Sequence, residues 1–539
     1  MAREISKTEK HDGNYEKTET GEKEEEVEED WCPFVWLPDS TLLDIFSFVE
    51  PLSLLRSVLG VCRRWRRLVR NPMLWREIRI RGCPHGEKRC GIVGDCTHVR
   101  SLGLSDVASR RVTPEAILGM VPARTQLIHC VDLTDCFRGV TDYSLELLVS
   151  RCPRLRTLVL DGCNAVTDNG LRAVARHCTS LEVVSLFATG FSVWGIERLL
   201  RRNPRLRRLL AYSTAVTMST IGILSVRCRD LQWLIVEESE WLSGREFRRN
   251  RLTDGMLRVL TRGCKRLTRL KLLYPRNSTT DAGLRYVADG CPRLVSLVLD
   301  YCDTSSAVTD SGIGLIIGSC RFLRRLRLAN VKVTDATLCN IADCSPFMEQ
   351  LTVEFGLVTD RGVCAVTKKC RRLSWLLIST DGHTENEEDE DEEEEEQNER
   401  ESRITDEAVR AISAFARRDV FCALGLECSK ITNAGLGSIC RNFKLIFLSL
   451  SGCKSITYEG KDGLKSCLDS GYLTSLWKLD VSFTELVNGE GRLVEIGDRL
   501  PHLEVLNLSD CFIDCDRAKR DVALKAFKTR HPKCEVVLM

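Results

Sequence analysis

Five residues able to ligate zinc fall within the sixteen positions of "CPHGEKRCGIVGDCTH" (83–98): Cys83, His85, Cys90, Cys96 and His98. A structural zinc site takes four such ligands, usually built on close Cys-x-x-Cys pairs. That spacing is absent, so the stretch reads as an irregular junction and no metal ligand is assigned. The chain's 27 cysteines also raise redox chemistry. An odd number in a long chain without a secretory leader argues for reduced thiols, not a disulfide framework. The eight histidines are scattered, and there is no P-loop, GxSxG or HExxH. The chain is read as non-catalytic, with no cofactor called for.

What the cysteines do instead follows from where they recur. A turn element returns along the chain as VTDYSL (140–145), VTDNGL (166–171), LTDGML (252–257), TTDAGL (279–284), VTDSGI (308–313), VTDATL (333–338), VTDRGV (358–363), ITDEAV (404–409) and ITNAGL (431–436), mostly at steps of 25 to 29 residues. A fixed period of this length predicts a solenoid, each unit burying its apolar face on its neighbours. Within a unit, "LRTLVLDGC" puts Leu158 and Leu160 on one side of a strand and Thr157, Val159 and Asp161 on the other. Thr167 or Asp168 then caps a helix carrying Leu171, Val174 and Ala175. Cys152, Cys178, Cys228, Cys264, Cys291, Cys320, Cys344, Cys370 and Cys440 end helices, and Cys136, Cys163, Cys302, Cys428, Cys453 and Cys511 follow strands. Free cysteine packs as a small hydrophobe, so these are read as packing between units.

Two steps are longer. Met218 to Asp254 includes "WLSGREFRRN" (241–250), and Asp360 to Asp406 includes "ENEEDEDEEEEE" (385–396), which holds eleven acids. Residues 22–30 hold seven acids and one lysine, so a net charge of +2 conceals a basic body with two acidic segments. Residues 1–30 and 382–403 are expected to be disordered and solvated. No window approaches the ~18 apolar residues of a membrane span. The chain is expected to be soluble and intracellular, cytoplasmic and/or nuclear.

Upstream of the repeats lies "WLPDSTLLDIFSFVEPLSLLRSVLGVCRRWRRLVRNPMLWREIRI" (36–80). Pro38 marks a helix start, Leu42, Leu43, Ile45, Phe46 and Val49 form an apolar face, and Pro51 ends it. A second helical region spans "PLSLLRSVLGVCRRWRRLV" and "NPMLWREI" supplies a short third helix. Three short helices make a small core, so such a module is expected to dock on something.

The order L-P-x-x-x-L-x-x-I-F-x-F-V, P-L-S-L-L, V-C-R-R-W-R-R-L and N-P-x-L-W resembles an F-box, and the strand–turn–helix units resemble cysteine-containing leucine-rich repeats. Together they resemble the F-box/leucine-rich-repeat family. The resemblance implies a three-helix F-box at 31–82, a junction at 83–98, and an α/β leucine-rich-repeat solenoid at 99–539 of about fifteen units. It also implies a substrate receptor of an SCF (Skp–cullin–F-box) ubiquitin ligase, bound through a Skp-type adaptor to a cullin–RING ligase. Adaptor-facing residues would be Leu37, Pro38, Leu42, Ile45, Phe46, Leu55, Val61, Cys62 and Trp65, with Trp75 packing toward the first repeats.

Strand residues that alternate with the buried leucines face solvent. In mid-array these predict an apolar and aromatic patch of Phe187, Leu210, Tyr212, Trp233 and Ile235. Arg208, Arg269, Lys271, Arg325 and Arg327 lie beside it, with Trp375 beyond. Exposed aromatics beside arginine are typical of binding hot spots. The expected ligand is a protein substrate of unknown identity. Alternatives are a small anionic ligand such as an inositol phosphate, a non-degradative scaffold, or coverage of the patch by the 241–250 insertion. No lysine-dominated stripe singles out nucleic acid.

Overall fold

The computed structural model describes residues 37–49, 54, 57–71, 74, 77–81, 100–105, 127–137, 139–187, 189–212, 216–237, 252–273, 279–301, 307–380, 404–488, 491–511 and 517–538. Both acidic segments, the 83–98 stretch, the 241–250 insertion, Cys302, Leu55 and Trp75 lie outside them. The chain forms two compact units, one ending at Leu74 and the other beginning at Trp75.

In the first unit, helix α1 (Asp39–Ser47) starts directly after Pro38, whose fixed φ suits that position. A single 3-10 turn (Val58–Gly60) leads to helix α2 (Arg63–Val69), capped by the Cys62 sulfur accepting from the Trp65 N–H. Leu42, Phe46, Leu54, Leu68 and Val69 form the core, and the Phe46 and Trp65 rings meet edge to face at 5.1 Å. Asp39 ties the two helices together by accepting from Arg64 (2.8 Å) and Arg67 (3.2 Å). The Arg64 hydrogen bond holds the Asp39 carboxyl below its ordinary range. The expected helix at "NPMLWREI" differs, because Glu77–Arg81 is a strand of the second unit. Glu77, Arg79 and Arg81 alternate with Ile78 and Ile80, a period-two pattern that favours a strand.

The second unit is a ladder of strand–turn–helix repeats. Its strands are β1 (Glu77–Arg81), β2 (Ser101–Ser105), β3 (Cys130–Asp132), β4 (Thr157–Val159), β5 (Val183–Leu186) and β6 (Arg208–Tyr212). There follow β7 (Trp233–Glu237), β8 (Arg269–Leu273), β9 (Ser296–Asp300), β10 (Arg325–Ala329), β11 (Gln350–Glu354) and β12 (Trp375–Ser379). The last are β13 (Ala423–Glu427), β14 (Phe447–Ser449), β15 (Lys478–Asp480), β16 (Val505–Asn507) and β17 (Glu535–Val537). All seventeen form one parallel sheet, and each strand pairs with its neighbours in chain order. Between strands the helices stack on one another behind the sheet. Leu158, Leu209, Leu234, Leu270, Leu297 and Leu326 are each at most 2 % exposed. Burying a leucine this fully stabilises by about 1.5–3 kcal/mol, so the repeated leucines drive the stack.

The turn motif links one repeat to the next. In each of eight pairs of neighbouring helices, an aspartate opening one helix accepts from the N–H and hydroxyl of the residue capping the next. Asp281, for example, takes Thr309 N–H (2.9 Å) and Oγ1–H (2.7 Å). The same latch joins Asp142, Asp168, Asp254, Asp310, Asp335, Asp360 and Asp406 to Thr167, Ser192, Thr280, Thr334, Thr359, Thr405 and Thr432. At Gly312 a Cβ would lie 2.1 Å from the Asp281 carboxylate as it is placed here, whereas the latches of Asp310 and Asp360 accommodate Thr337 and Ala408 at the same position. Two successive junctions lack the latch, because Val193 and Met218 stand where the aspartate belongs. At the second, bulky Met256 occupies the small-residue position.

Cysteines form a second inter-repeat series. Cys178, Cys264, Cys291 and Cys320 donate to the carbonyls of Cys152, Cys228, Cys264 and Cys291, the capping residues one repeat back. Burial pushes the thiols of Cys178, Cys264 and Cys291 up to about 12, so they are poor nucleophiles. Two of the expected helix-end cysteines depart from the series. Cys344 ends its helix as expected but is exposed, with Ser345 as the buried cap, and Cys440 lies inside its helix, which Phe443 caps.

Candidate functional site

Because the strands are parallel and in register, solvent-facing residues of successive repeats line up in rows across the sheet. The first row runs Arg208, Trp233, Arg269, Ser296, Arg325, Gln350, Trp375, Ala423, Phe447 and Lys478. The second includes Leu210, Ile235, Lys271, Val298 and Arg327, and the third includes Tyr212, Glu237, Leu273, Asp300, Ala329 and Glu354.

In the first row, Trp233 is held between two arginines. The guanidinium carbon of Arg208 lies 5.0 Å from its ring centroid and that of Arg269 4.7 Å. Such stacking fixes a guanidinium and leaves its N–H edge able to donate. Burial, with the nearby charges of Arg325 and Arg208, pulls Arg269 below the ordinary arginine value. Among the described residues, no carboxylate pairs with Arg208, Arg269, Lys271 or Arg325. Arg208 and Arg325 are exposed; Arg269 and Lys271 are half-buried.

Arg327 is different. Its guanidinium bridges Asp300 (3.2 Å) and Glu354 (3.0 Å), the third-row acids of the strands on either side. Its charge is met within the sheet, so it stands on this face as an ion-paired residue, 43 % exposed, unlike Arg208, Arg269, Lys271 and Arg325. Ile235 is corrected, since at 8 % exposure it packs as a floor residue. Leu210 is half-buried beside it, and Phe187 lies in the turn after β5 with its N–H donating to Asp161. Tyr212 ends β6 opposite Glu237. Trp375 belongs to a second cluster, stacked on Phe447 (4.7 Å, 13°) over Ala423 and Leu377. Phe447, with Lys478 5.6 Å from its ring, was not among the expected site residues. Counting from Trp375 across the acidic insertion to Ala423 and on to Phe447 is the signal that finds it.

In the first unit, Leu42, Phe46 and Cys62 are buried in the core instead of lying on an open adaptor face. Pro38 and Ile45 are exposed, Leu37, Val61 and Trp65 half-buried, and Phe48, absent from the expected set, is 90 % exposed. Among the described residues, no group of three or more His, Cys, Asp or Glu is placed to hold a metal, and no helix is long and apolar enough to cross a membrane.

Residues 35–81 match a family model described as F-box-like, and residues 151–175 match one described as Leucine Rich repeat. The chain is 23% identical over 484 residues to coronatine-insensitive protein homolog 1b of Oryza sativa subsp. japonica, covering 79% of this chain and 77% of that one. It is 36% identical over 84 residues to F-box/LRR-repeat protein 12 of Arabidopsis thaliana, covering 16% and 21%. Among solved structures, a chain from the complex of Rad7 and Elc1 in yeast superposes with a TM-score of 0.48 at 16% identity, covering 75% and 85%.

Proposed function

We propose that this chain, an F-box/leucine-rich-repeat protein, is the non-catalytic substrate receptor of an SCF ubiquitin ligase. The first unit docks a Skp-type adaptor and through it the cullin–RING machinery. The sheet face holds a protein for ubiquitylation and proteasomal degradation, in the cytoplasm, the nucleus or both. The observation that carries this reading is the union, in one chain, of an F-box-like module with a sheet whose first row is rich in uncompensated arginine and aromatic side chains. A helix pair exposing Ile45 and Phe48 has apolar surface to bury on a partner.

A small polyanion such as an inositol phosphate would need several cations converging on one point. Neutralisation of Arg327 leaves the open cations of the first row in a line, which favours an elongated ligand.

The test is co-purification with a Skp-type adaptor followed by reconstituted ubiquitin transfer. Ile45→Asp with Phe48→Asp is expected to abolish adaptor binding while the repeats stay folded by circular dichroism. Full adaptor binding by this variant would reject the docking face. Wild-type chain that captures no adaptor at all would reject the receptor assignment.

A further inference from the structure

We infer that the first row of the sheet reads an extended segment of a partner protein with an acidic side chain at every third residue. This inference rests on the receptor reading and names the class of substrate.

Arg208, Arg269 and Arg325 occupy the same register position on β6, β8 and β10. Neighbouring strands lie about 4.8 Å apart, so the three guanidinium groups are based about 10 Å from one another along a line crossing the strands. A partner in β conformation presents one face at alternate residues, about 7 or 13 Å apart, and misses this spacing. A polyproline-II segment has three residues per turn and rises ~3.1 Å each, so residues i, i+3 and i+6 share a face at about 9 Å intervals. That conformation fits.

Off this line the second row adds Lys271, on the same strand as Arg269, and the other neighbouring positions favour a ligand lying along the line. Trp233, with its ring between Arg208 and Arg269, fixes two of the three cations in advance. Asp300 and Glu354 in the third row occupy Arg327 and repel a carboxylate placed there. Beyond Arg325 the row continues with neutral Gln350 and then Trp375, so three acids are read and no fourth.

The experiment uses the full chain with its adaptor and fluorescein-labelled peptides of alternating proline and alanine spacers. One peptide carries Asp at i, i+3 and i+6; the other carries the same three at i, i+2 and i+4. Anisotropy is expected to give at least about tenfold tighter binding for the every-third peptide, the effect of seating one further charge-assisted pair. Arg325→Glu and Arg208→Glu, both at exposed positions, are expected to remove that preference, Arg325→Glu with the thermal midpoint unchanged because it lies outside the Trp233 sandwich. Equal affinity for the two peptides overturns the inference, as does an unaltered preference in both variants. So does displacement of the peptide by inositol hexakisphosphate or by a single-stranded oligonucleotide at equal or lower concentration. Adaptor retention is scored in the same samples: no peptide selectivity in the wild-type chain with adaptor held rejects only this inference, whereas absence of adaptor binding by the wild-type chain rejects the receptor reading.

Discussion

Glu354 shares one guanidinium with Asp300, and that division leaves burial as the stronger influence on its proton. Burial raises its pKa to about 7 against the opposing pull of Arg327. An acid whose folded pKa lies above its unfolded value stabilises the fold at low pH. That contribution is lost as pH rises from about 4.5 to about 7. Glu354→Gln cannot titrate, so its stability relative to wild type should climb through that window and level off above it, by on the order of 1–3 kcal/mol. Urea denaturation of both proteins at a series of pH values measures the difference, and a flat difference would refute the assignment. The same group explains what sequence reading missed. Alternation with leucine tells which face Arg327 is on, and it gives Arg325 and Arg327 equal weight. What separates them is the strand register, which carries Asp300 and Glu354 to either side of Arg327 from 27 residues away in each direction.

The Thr-Asp turns show the same limit one level up. Helix start, cap and period were all legible in VTDSGI and its copies, because each rests on local spacing. The aspartate's task was not, since its partner is the capping threonine of the next repeat. Asp281→Ala removes an acceptor from two charge-assisted bonds and should cost about 1.5–3 kcal/mol, read as a lower urea midpoint. Asp281→Asn should keep most of it. Asn433 already makes the latch with an amide, accepting from the Thr457 N–H (2.9 Å) and donating to its hydroxyl (2.7 Å). An unchanged midpoint in Asp281→Ala would mean that the latch contributes nothing, and equal losses in both variants that an amide cannot replace the carboxylate here. Strand positions followed from L-x-x-L-x-L alone, and β1 escaped only because it lies inside a segment whose motif is otherwise helical.

Stability in a repeat array is close to a sum of unit terms and junction terms, so a weak junction is felt as a boundary. Between Asp142 and Thr432 two junctions lack the aspartate latch and they are consecutive, and between and beside them lie β6, β7 and β8. Hydrogen exchange should therefore be faster in helices Val193–Arg202 and Met218–Arg227 than in Asp281–Gly290 and Asp310–Ser319. Uniform protection across all four would contradict the boundary. On the opposite side of the sheet, the Arg208–Trp233–Arg269 sandwich spans the same three strands, a soft clasp where the hard one is missing. On this reasoning the array is expected to behave as two stiff blocks joined by a compliant seam, and the seam runs through the surface proposed to receive the ligand. A segment lying from Arg208 to Arg325 would act as a splint across it, so that occupancy would be converted into rigidity of the whole array.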